Sequence, residues 1–122
     1  MISKLITHRG IQFYLDRKGH APFAEWLESL RNDQARYRIK ARIDRMRFGN
    51  FGDWKRVGDG VYEHRVDVGP GYRLYFSLDQ SENILLLCGG DKSSQASDIM
   101  KARYYWNDYK ERQYGNKESS EH

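Results

Sequence analysis

Residues 60–99, GVYEHRVDVGPGYRLYFSLDQSENILLLCGGDKSSQASDI, determine the fold of this 122-residue chain. Polar and apolar residues alternate over Val61–Val68 and again over Tyr72–Leu78, which is the period-two pattern of half-buried strands. The short connection Gly69–Gly71 favours an antiparallel hairpin between them. The uninterrupted apolar run Ile84–Cys88 predicts an internal strand that is covered on both faces.

The alternation of side chains along the two strands of the hairpin brings four polar side chains together. If the apolar rows of both strands face one core, the alternate residues lie side by side on the opposite face of the sheet. This row is composed of Glu63, Arg65, Arg73 and Tyr75. Because arginine can bind a phosphate through two parallel hydrogen bonds, the row is a candidate functional site. The alternative is a surface salt-bridge network without a function.

The rest of the chain predicts one further strand and three helices. Apolar residues recur at helical spacing in three segments, each with proline or a capping residue near its start. The predicted elements are a strand over 11–16 and helices over 22–30, from Asn32 or Asp33 to 49, and from Ser93 or Ser94 to about 113. The first two helices should form an antiparallel hairpin against the sheet. Residues 50–60, rich in Gly and Asp, predict a loop.

These elements predict an α+β fold, with a small antiparallel sheet packed with an N-terminal helix hairpin and a C-terminal helix. The length suits one domain, assigned to 1–114, and the polar residues 115–122 predict a disordered tail. No apolar run approaches the ~18 residues of a membrane helix, and the N-terminus lacks an apolar signal core. The single cysteine, Cys88, can form no intramolecular disulfide and is expected to be a buried structural thiol. We therefore expect a cytoplasmic protein.

The basic residues are concentrated in one part of the chain. The formal net charge is +4, from 21 Lys and Arg against 17 Asp and Glu. Eight of the basic residues lie between Arg36 and Arg56, where there are two acids. Such a block can bind nucleic-acid phosphates or an acidic partner segment, although solvated surface is the alternative role for any one residue. The candidates for RNA or phosphate contacts are Lys55, Arg56, Arg45, Arg47 and Tyr75.

Two runs in this chain resemble the RelE/ParE superfamily of bacterial toxins, specifically its addiction-module killer branch, which includes HigB-like and phage-encoded proteins. They are GVYEHRVDVGPGYRLYF at 60–76 and LLLCGGDKSSQASDI at 85–99. The segments FAEWLESL, RIKARIDRMRFGNFGDWKRVGDG and KARYYWNDYK agree with that family in order and spacing. The resemblance covers about residues 11–110.

The resemblance implies a RelE-like, microbial-ribonuclease-like fold and the toxin of a type II toxin–antitoxin system. Members that are endonucleases cut mRNA in the ribosomal A site, using a basic cluster that matches Lys55, Arg65, Arg73 and Lys92 here. The implied partners are mRNA on the ribosome, a helix-turn-helix antitoxin, and promoter DNA through the antitoxin complex only. Two alternatives remain open: a ParE-like inhibitor that binds DNA gyrase, and a degenerate toxin that serves only as co-repressor.

Metal-independent RNA cleavage requires a base for the 2′-hydroxyl, cations for the phosphate and an acid for the leaving oxygen. Arg65 and Arg73 can hold the phosphate, and Lys92, beside a predicted helix N-terminus, can protonate the leaving group or bind phosphate. Glu63 and Asp91 are the candidate bases, although nearby arginines would lower their pKa values. The family's usual catalytic tyrosine or histidine is replaced by the Asp91–Lys92 pair. The four histidines lack metal-ligand spacing, so neither a metal nor another cofactor is expected.

Overall fold

The computed structural model describes residues 9–115, which form five strands in one sheet and three α-helices. The strand order across the sheet is β1-β5-β4-β3-β2, which confirms the α+β class. The strands are β1 Ile11–Phe13, β2 Trp54–Gly58, β3 Val61–Val66, β4 Tyr72–Leu78 and β5 Ile84–Asp91. The helices are α1 Pro22–Ser29, α2 Asp33–Met46 and α3 Gln95–Lys110. A 3-10 turn, Lys92–Ser94, precedes α3, and a π-helical turn, Glu111–Gly115, follows it. Apart from Gly115, the tail assigned to 115–122 lies outside the described residues.

The sheet is mixed, so the prediction of a wholly antiparallel sheet is wrong at one edge. β1 runs parallel to β5, with Ile11 opposite Ile84, while the other three pairings are antiparallel. Parallel neighbours need a long crossover connection, and α1 to β4 provide it. β1 is also shorter than predicted, because the chain turns away beyond Tyr14. There, the Asp16 side chain accepts hydrogen bonds from two backbone amides of the turn.

The predicted loop over residues 50–60 contains a strand, β2, at the other edge of the sheet. β2 pairs antiparallel with β3 and places Lys55 opposite Glu63. Its first three side chains are exposed whichever way they point. An edge strand of this kind lacks the alternation of polar and apolar residues by which strands are recognised, and this explains why the prediction was wrong.

The starts of the helices follow local chemistry, with one exception. Pro22 occupies the first turn of α1, and the Asn32 side chain caps α2 by accepting from two backbone amides. Ser94 occupies the N-cap position of α3, as predicted, but its side chain makes no capping hydrogen bond. Its hydroxyl instead donates to Asp98 at 2.6 Å. The capping hydrogen bond lies upstream, where Asp91 accepts from the Ser93 amide at 2.8 Å at the start of the 3-10 turn.

Both faces of the sheet are buried, as the run Ile84–Cys88 predicted for β5. The helix hairpin α1–α2 covers one face, and its apolar side chains pack on alternate residues of β3, β4 and β5. The fully buried members of this first layer include Phe23, Ile39, Met46, Leu74, Ile84 and Leu86. Helix α3 covers the other face. That second layer contains Tyr14, Val61, Tyr75, Leu85, Leu87, Cys88, Ala102 and Trp106.

The glycines at the end of β5 let both helix layers approach the sheet closely. A Cβ atom on Gly89 would lie 2.3 Å from the Trp26 ring of α1. A Cβ atom on Gly90 would lie 1.9 Å from the carboxylate of Asp98 in α3. Both distances are too short for real atoms, so the Gly-Gly pair determines how near α1 and α3 sit to this strand.

The far end of α3 is held by the buried carboxylate of Asp108. It accepts a hydrogen bond from the Tyr14 hydroxyl at 2.7 Å and pairs with Arg17 and Arg112, both at 2.8 Å. Burial alone would raise the pKa of Asp108, but its hydrogen bonds and the two guanidinium charges hold that pKa below its usual range. The segment after β1 is thus tied to α3. No helix within residues 9–115 has both the length and the apolarity that a membrane crossing needs.

Replacing Gly89 by Ala should lower the free energy of unfolding by about 2 kcal/mol, because the new methyl group overlaps the indole of Trp26 and the layer must shift. Urea unfolding measures this change. Gly115→Ala is the matched control, since no atom lies within 4 Å of its added Cβ, and it should be nearly neutral. Equal stabilities of the two variants would contradict the close-approach explanation.

Candidate functional site

Glu63 is the centre of a polar cluster between the sheet and the start of α3. It projects from β3 toward α3 and is 0% exposed. Tyr75, its neighbour across the β3–β4 pair, donates a hydrogen bond to Glu63 Oε2 at 3.0 Å. Gln95, in the first turn of α3, donates to the same oxygen at 2.9 Å. The predicted shared face of Glu63 and Tyr75 is correct, but α3 covers it.

Two cations flank this buried carboxylate. Arg73 Nε lies 3.7 Å from Glu63 Oε2, and Lys55 Nζ lies 3.8 Å from Glu63 Oε1. The Arg73 side chain is 11% exposed, whereas the Lys55 side chain is 56% exposed. A buried carboxylate needs such partners, because ionised groups are costly to remove from water unless they are paired. Glu63 therefore pairs with Arg73 and Lys55 from the buried side of the cluster. Because it is fully buried, Glu63 itself cannot contact a substrate.

The phenol of Tyr75 is equally enclosed. Burial, reinforced by the negative charge of Glu63, raises the pKa of Tyr75 far above its usual value. The hydroxyl is therefore protonated at neutral pH and serves as a donor to Glu63. Since the side chain is fully buried, the structure leaves no surface for the RNA contact predicted for Tyr75.

Arg65 marks the exposed end of the same row. It lies opposite Arg73 in the β3–β4 register, and 46% of its side chain is exposed. Its guanidinium pairs with Asp53, with 3.1 Å between Nε and the carboxylate. The two arginines thus differ in their support: a buried carboxylate holds Arg73, and a surface carboxylate faces Arg65. Both arginines lie on the face that the alternation of residues along the hairpin predicted.

Asp91 is the last residue of β5, and Lys92 follows it at the same end of the sheet. Asp91 lies opposite Tyr72, one residue along β4 from Arg73. Hydrogen bonds from Ser93 lower the pKa of Asp91, and the charge of Arg73 adds to the effect. The carboxylate is consequently ionised at neutral pH and is a weak base. Lys92 is exposed, its Cε lies 3.4 Å from the position of a Cβ on Gly71, and it has no ion-pair partner within residues 9–115.

Three of the predicted phosphate contacts lie on the other side of the sheet. Arg56 is one residue from Lys55 in β2 and therefore points the opposite way. There it lines an aromatic pocket with Phe51, Trp54, Tyr62 and Phe76. Arg45 and Arg47 belong to the C-terminal end of α2, which packs on that opposite face, and Arg47 pairs with Asp44 at 3.5 Å. The structure does not bring these three arginines to Arg73.

Sequence reasoning missed Gln95 and Asp53, which hold Glu63 and Arg65 respectively. Gln95 follows the two serines predicted to cap α3, and no periodicity indicates that its amide reaches Glu63 in another element. Asp53 precedes β2, so its proximity to Arg65 depends on a pairing that was not predicted. Burial of Cys88 raises the pKa of its thiol to about 12, which agrees with a structural role. Within residues 9–115, no three His, Cys, Asp or Glu side chains form a group that could bind a metal ion.

Comparison with known proteins gives a relative but no activity. The chain is 51% identical to an uncharacterized protein of Haemophilus influenzae over 81 residues, which are 66% of this chain and 82% of that protein. The chain belongs to the same family as that protein. No family model matches the sequence.

Replacing Glu63 by Ala should lower the free energy of unfolding by about 3 kcal/mol, because the buried Tyr75 hydroxyl loses its hydrogen-bond acceptor and the Arg73 guanidinium loses its counter-ion. Glu63→Gln keeps an acceptor for Tyr75 and should cost less. Lys55→Ala is the control for loss of an exposed partner and should change stability by about 0.5 kcal/mol or less. Urea unfolding of the three variants decides the matter, and equal losses for Glu63→Ala and Lys55→Ala would contradict the central role of Glu63.

Proposed function

We propose that this protein is the toxin of a type II toxin–antitoxin pair and that it cleaves mRNA on the ribosome without a metal ion. The observation that carries the proposal is the position of Arg65, Arg73 and Lys92, which all lie at one end of the sheet. Arg73 is held there by the buried carboxylate of Glu63. The resemblance of residues 60–76 and 85–99 to RelE/ParE toxins supports the same activity.

The layer arrangement supports the RelE-like part of the proposal. Members of that superfamily place an N-terminal helix hairpin and a C-terminal helix around a small sheet, and this chain has elements of the same kind in the same order. The protein would act in the cytoplasm, where ribosomes are. A helix-turn-helix antitoxin would neutralise it, and the pair would bind promoter DNA through the antitoxin.

The proposed chemistry depends on charge and position more than on a strong base. Glu63 is buried and Asp91 has a lowered pKa, so neither carboxylate is suited to remove a proton from the 2′-hydroxyl. The 2′-oxygen attacks the adjacent phosphorus as its proton passes to water, and the bond from phosphorus to the 5′-oxygen breaks. Arg73 and Arg65 stabilise the charge on the phosphate, and Lys92 supplies a proton to the 5′-oxygen. The ribosome aligns the mRNA for this step.

Purified protein should shorten mRNA on translating ribosomes and leave DNA supercoiling by gyrase unchanged. Mapping the mRNA ends in a purified translation system, beside a supercoiling assay, measures both. Arg65→Ala should abolish most of the cleavage, because it removes a phosphate contact without opening the core, whereas Lys110→Ala, at the far end of α3, should cleave as wild type does. Inhibited supercoiling with intact mRNA would instead indicate the ParE-like alternative.

Lys92→Ala should slow cleavage by about 10²-fold, comparable to the loss of one transition-state donor, with a much smaller change in ribosome binding. Lys92→Arg separates two roles, since guanidinium can bind phosphate but cannot readily give up a proton. Single-turnover cleavage of ribosome-bound mRNA measures both variants. Partial activity of Lys92→Arg would favour a phosphate contact, and wild-type rates in both variants would remove Lys92 from the site.

A further inference from the structure

Three arginines on one side of α2 line a groove that the proposed catalytic cluster does not include. Arg38, Arg42 and Arg45 recur at the spacing of helix turns and therefore share a face. With Tyr37 they form one wall of a groove of about 340 Å³. The other wall is Val66, the last residue of β3, together with Asp67 and Val68, which follow it. Tyr37 is 73% exposed.

The charges of these arginines are not compensated within the described part of the chain. None of the three forms an ion pair with an acid within residues 9–115, although Arg36 and Arg47 on the same helix pair with Asp33 and Asp44. Asp67 lines the groove but lies outside ion-pair distance of all three. Like charges one helix turn apart destabilise a helix, so an anionic ligand in the groove would relieve an existing repulsion.

The groove and the catalytic cluster meet at the same end of the sheet. Val66, which lines the groove, directly follows Arg65. Successive side chains of a strand point to opposite faces. Arg65 and Arg73 therefore lie on one face of the sheet end, and the groove lies on the other. A flexible polyanion that passes round the β3–β4 turn can contact both.

We propose that this groove binds the sugar–phosphate backbone of a single-stranded RNA segment that adjoins the cleaved position, with a base stacked on Tyr37. The inference rests on the proposed function and adds a second RNA contact to it. RNA carries one negative charge on the phosphate of every nucleotide, so successive phosphates can pair with arginines that repeat with each helix turn. A positive groove with an exposed aromatic ring is typical of single-strand binding and is not specifically required by an acidic peptide.

The test is the salt dependence of binding to a short single-stranded oligoribonucleotide, measured by fluorescence anisotropy. Each lost phosphate contact reduces the magnitude of the negative slope of log K against log salt by about 0.7. The triple variant Arg38→Gln/Arg42→Gln/Arg45→Gln should therefore reduce that magnitude by about 2. Lys40→Gln, on the opposite side of α2, is the matched control and should leave the slope nearly unchanged. Asp67→Asn should tighten binding, because it removes the carboxylate from the groove.

A second variant keeps the test decisive if the triple variant does not fold. Arg42 is half-buried, so the triple replacement can disturb the α2 layer, whereas Arg38 and Arg45 are both exposed. The double variant Arg38→Gln/Arg45→Gln should fold as wild type does and lower the slope by about 1.4. Circular dichroism confirms the folding of each variant before binding is measured. If the triple variant is unfolded, the double variant decides the outcome.

Three results would overturn the inference. The first is a double variant that binds the oligoribonucleotide with the wild-type slope, and the second is a wild-type protein that does not bind it. The third is an acidic peptide whose binding depends on Arg38 and Arg45 while RNA binding does not, which would assign the groove to a protein partner. Cleavage on translating ribosomes, measured with the same proteins, separates the two proposals. If the wild-type protein cleaves mRNA and the double variant binds RNA with an unaltered slope, only the groove proposal is contradicted. If the wild-type protein leaves mRNA intact and the slope depends on the groove arginines, only the nuclease proposal is contradicted.

Discussion

Strand β5 is buried between two helix layers, and this burial positions the other elements. Its apolar run from Ile84 to Cys88 must be covered on both faces, so α1 and α3 pack on opposite sides of the sheet. Gly89 and Gly90, near the end of this strand, allow the close approach of Trp26 and Asp98. The close contact of Asp98 places the first turn of α3 over Glu63, and the polar cluster of the candidate site follows from that placement.

The burial of Glu63 changes what the surrounding residues can do. A carboxylate on an open sheet face would be a weak base with mobile neighbours, whereas this one is enclosed by Tyr75 and Gln95 and is flanked by Arg73. Buried ion pairs contribute little net stability, because desolvation offsets the attraction between the charges. Their benefit lies in position, because a guanidinium held by a buried carboxylate would need little reorganisation to bind the phosphate of the proposed RNA substrate.

The distribution of positive charge follows from the alternation of strand residues and from the side of the sheet that each helix covers. Lys55 and Arg56 are adjacent in sequence but point to opposite faces, and the arginines of α2 lie on the face away from Arg73. A block that is continuous in sequence is therefore divided by the sheet into two surfaces. They meet again at the β3–β4 turn, where the RNA strand of the proposed function would contact both.

Periodicity and turn residues are local signals, so they predict the three inner strands, the three helices and the shared face of Glu63, Arg65, Arg73 and Tyr75. They do not show that β2 is a strand, that β1 is parallel to β5, or that α3 covers Glu63. These features depend on contacts between residues distant in sequence, such as Gln95 with Glu63 and Lys55 with Glu63. An exposed edge strand and a buried polar contact leave no periodic pattern in the sequence, since what defines each of them is its neighbour in space.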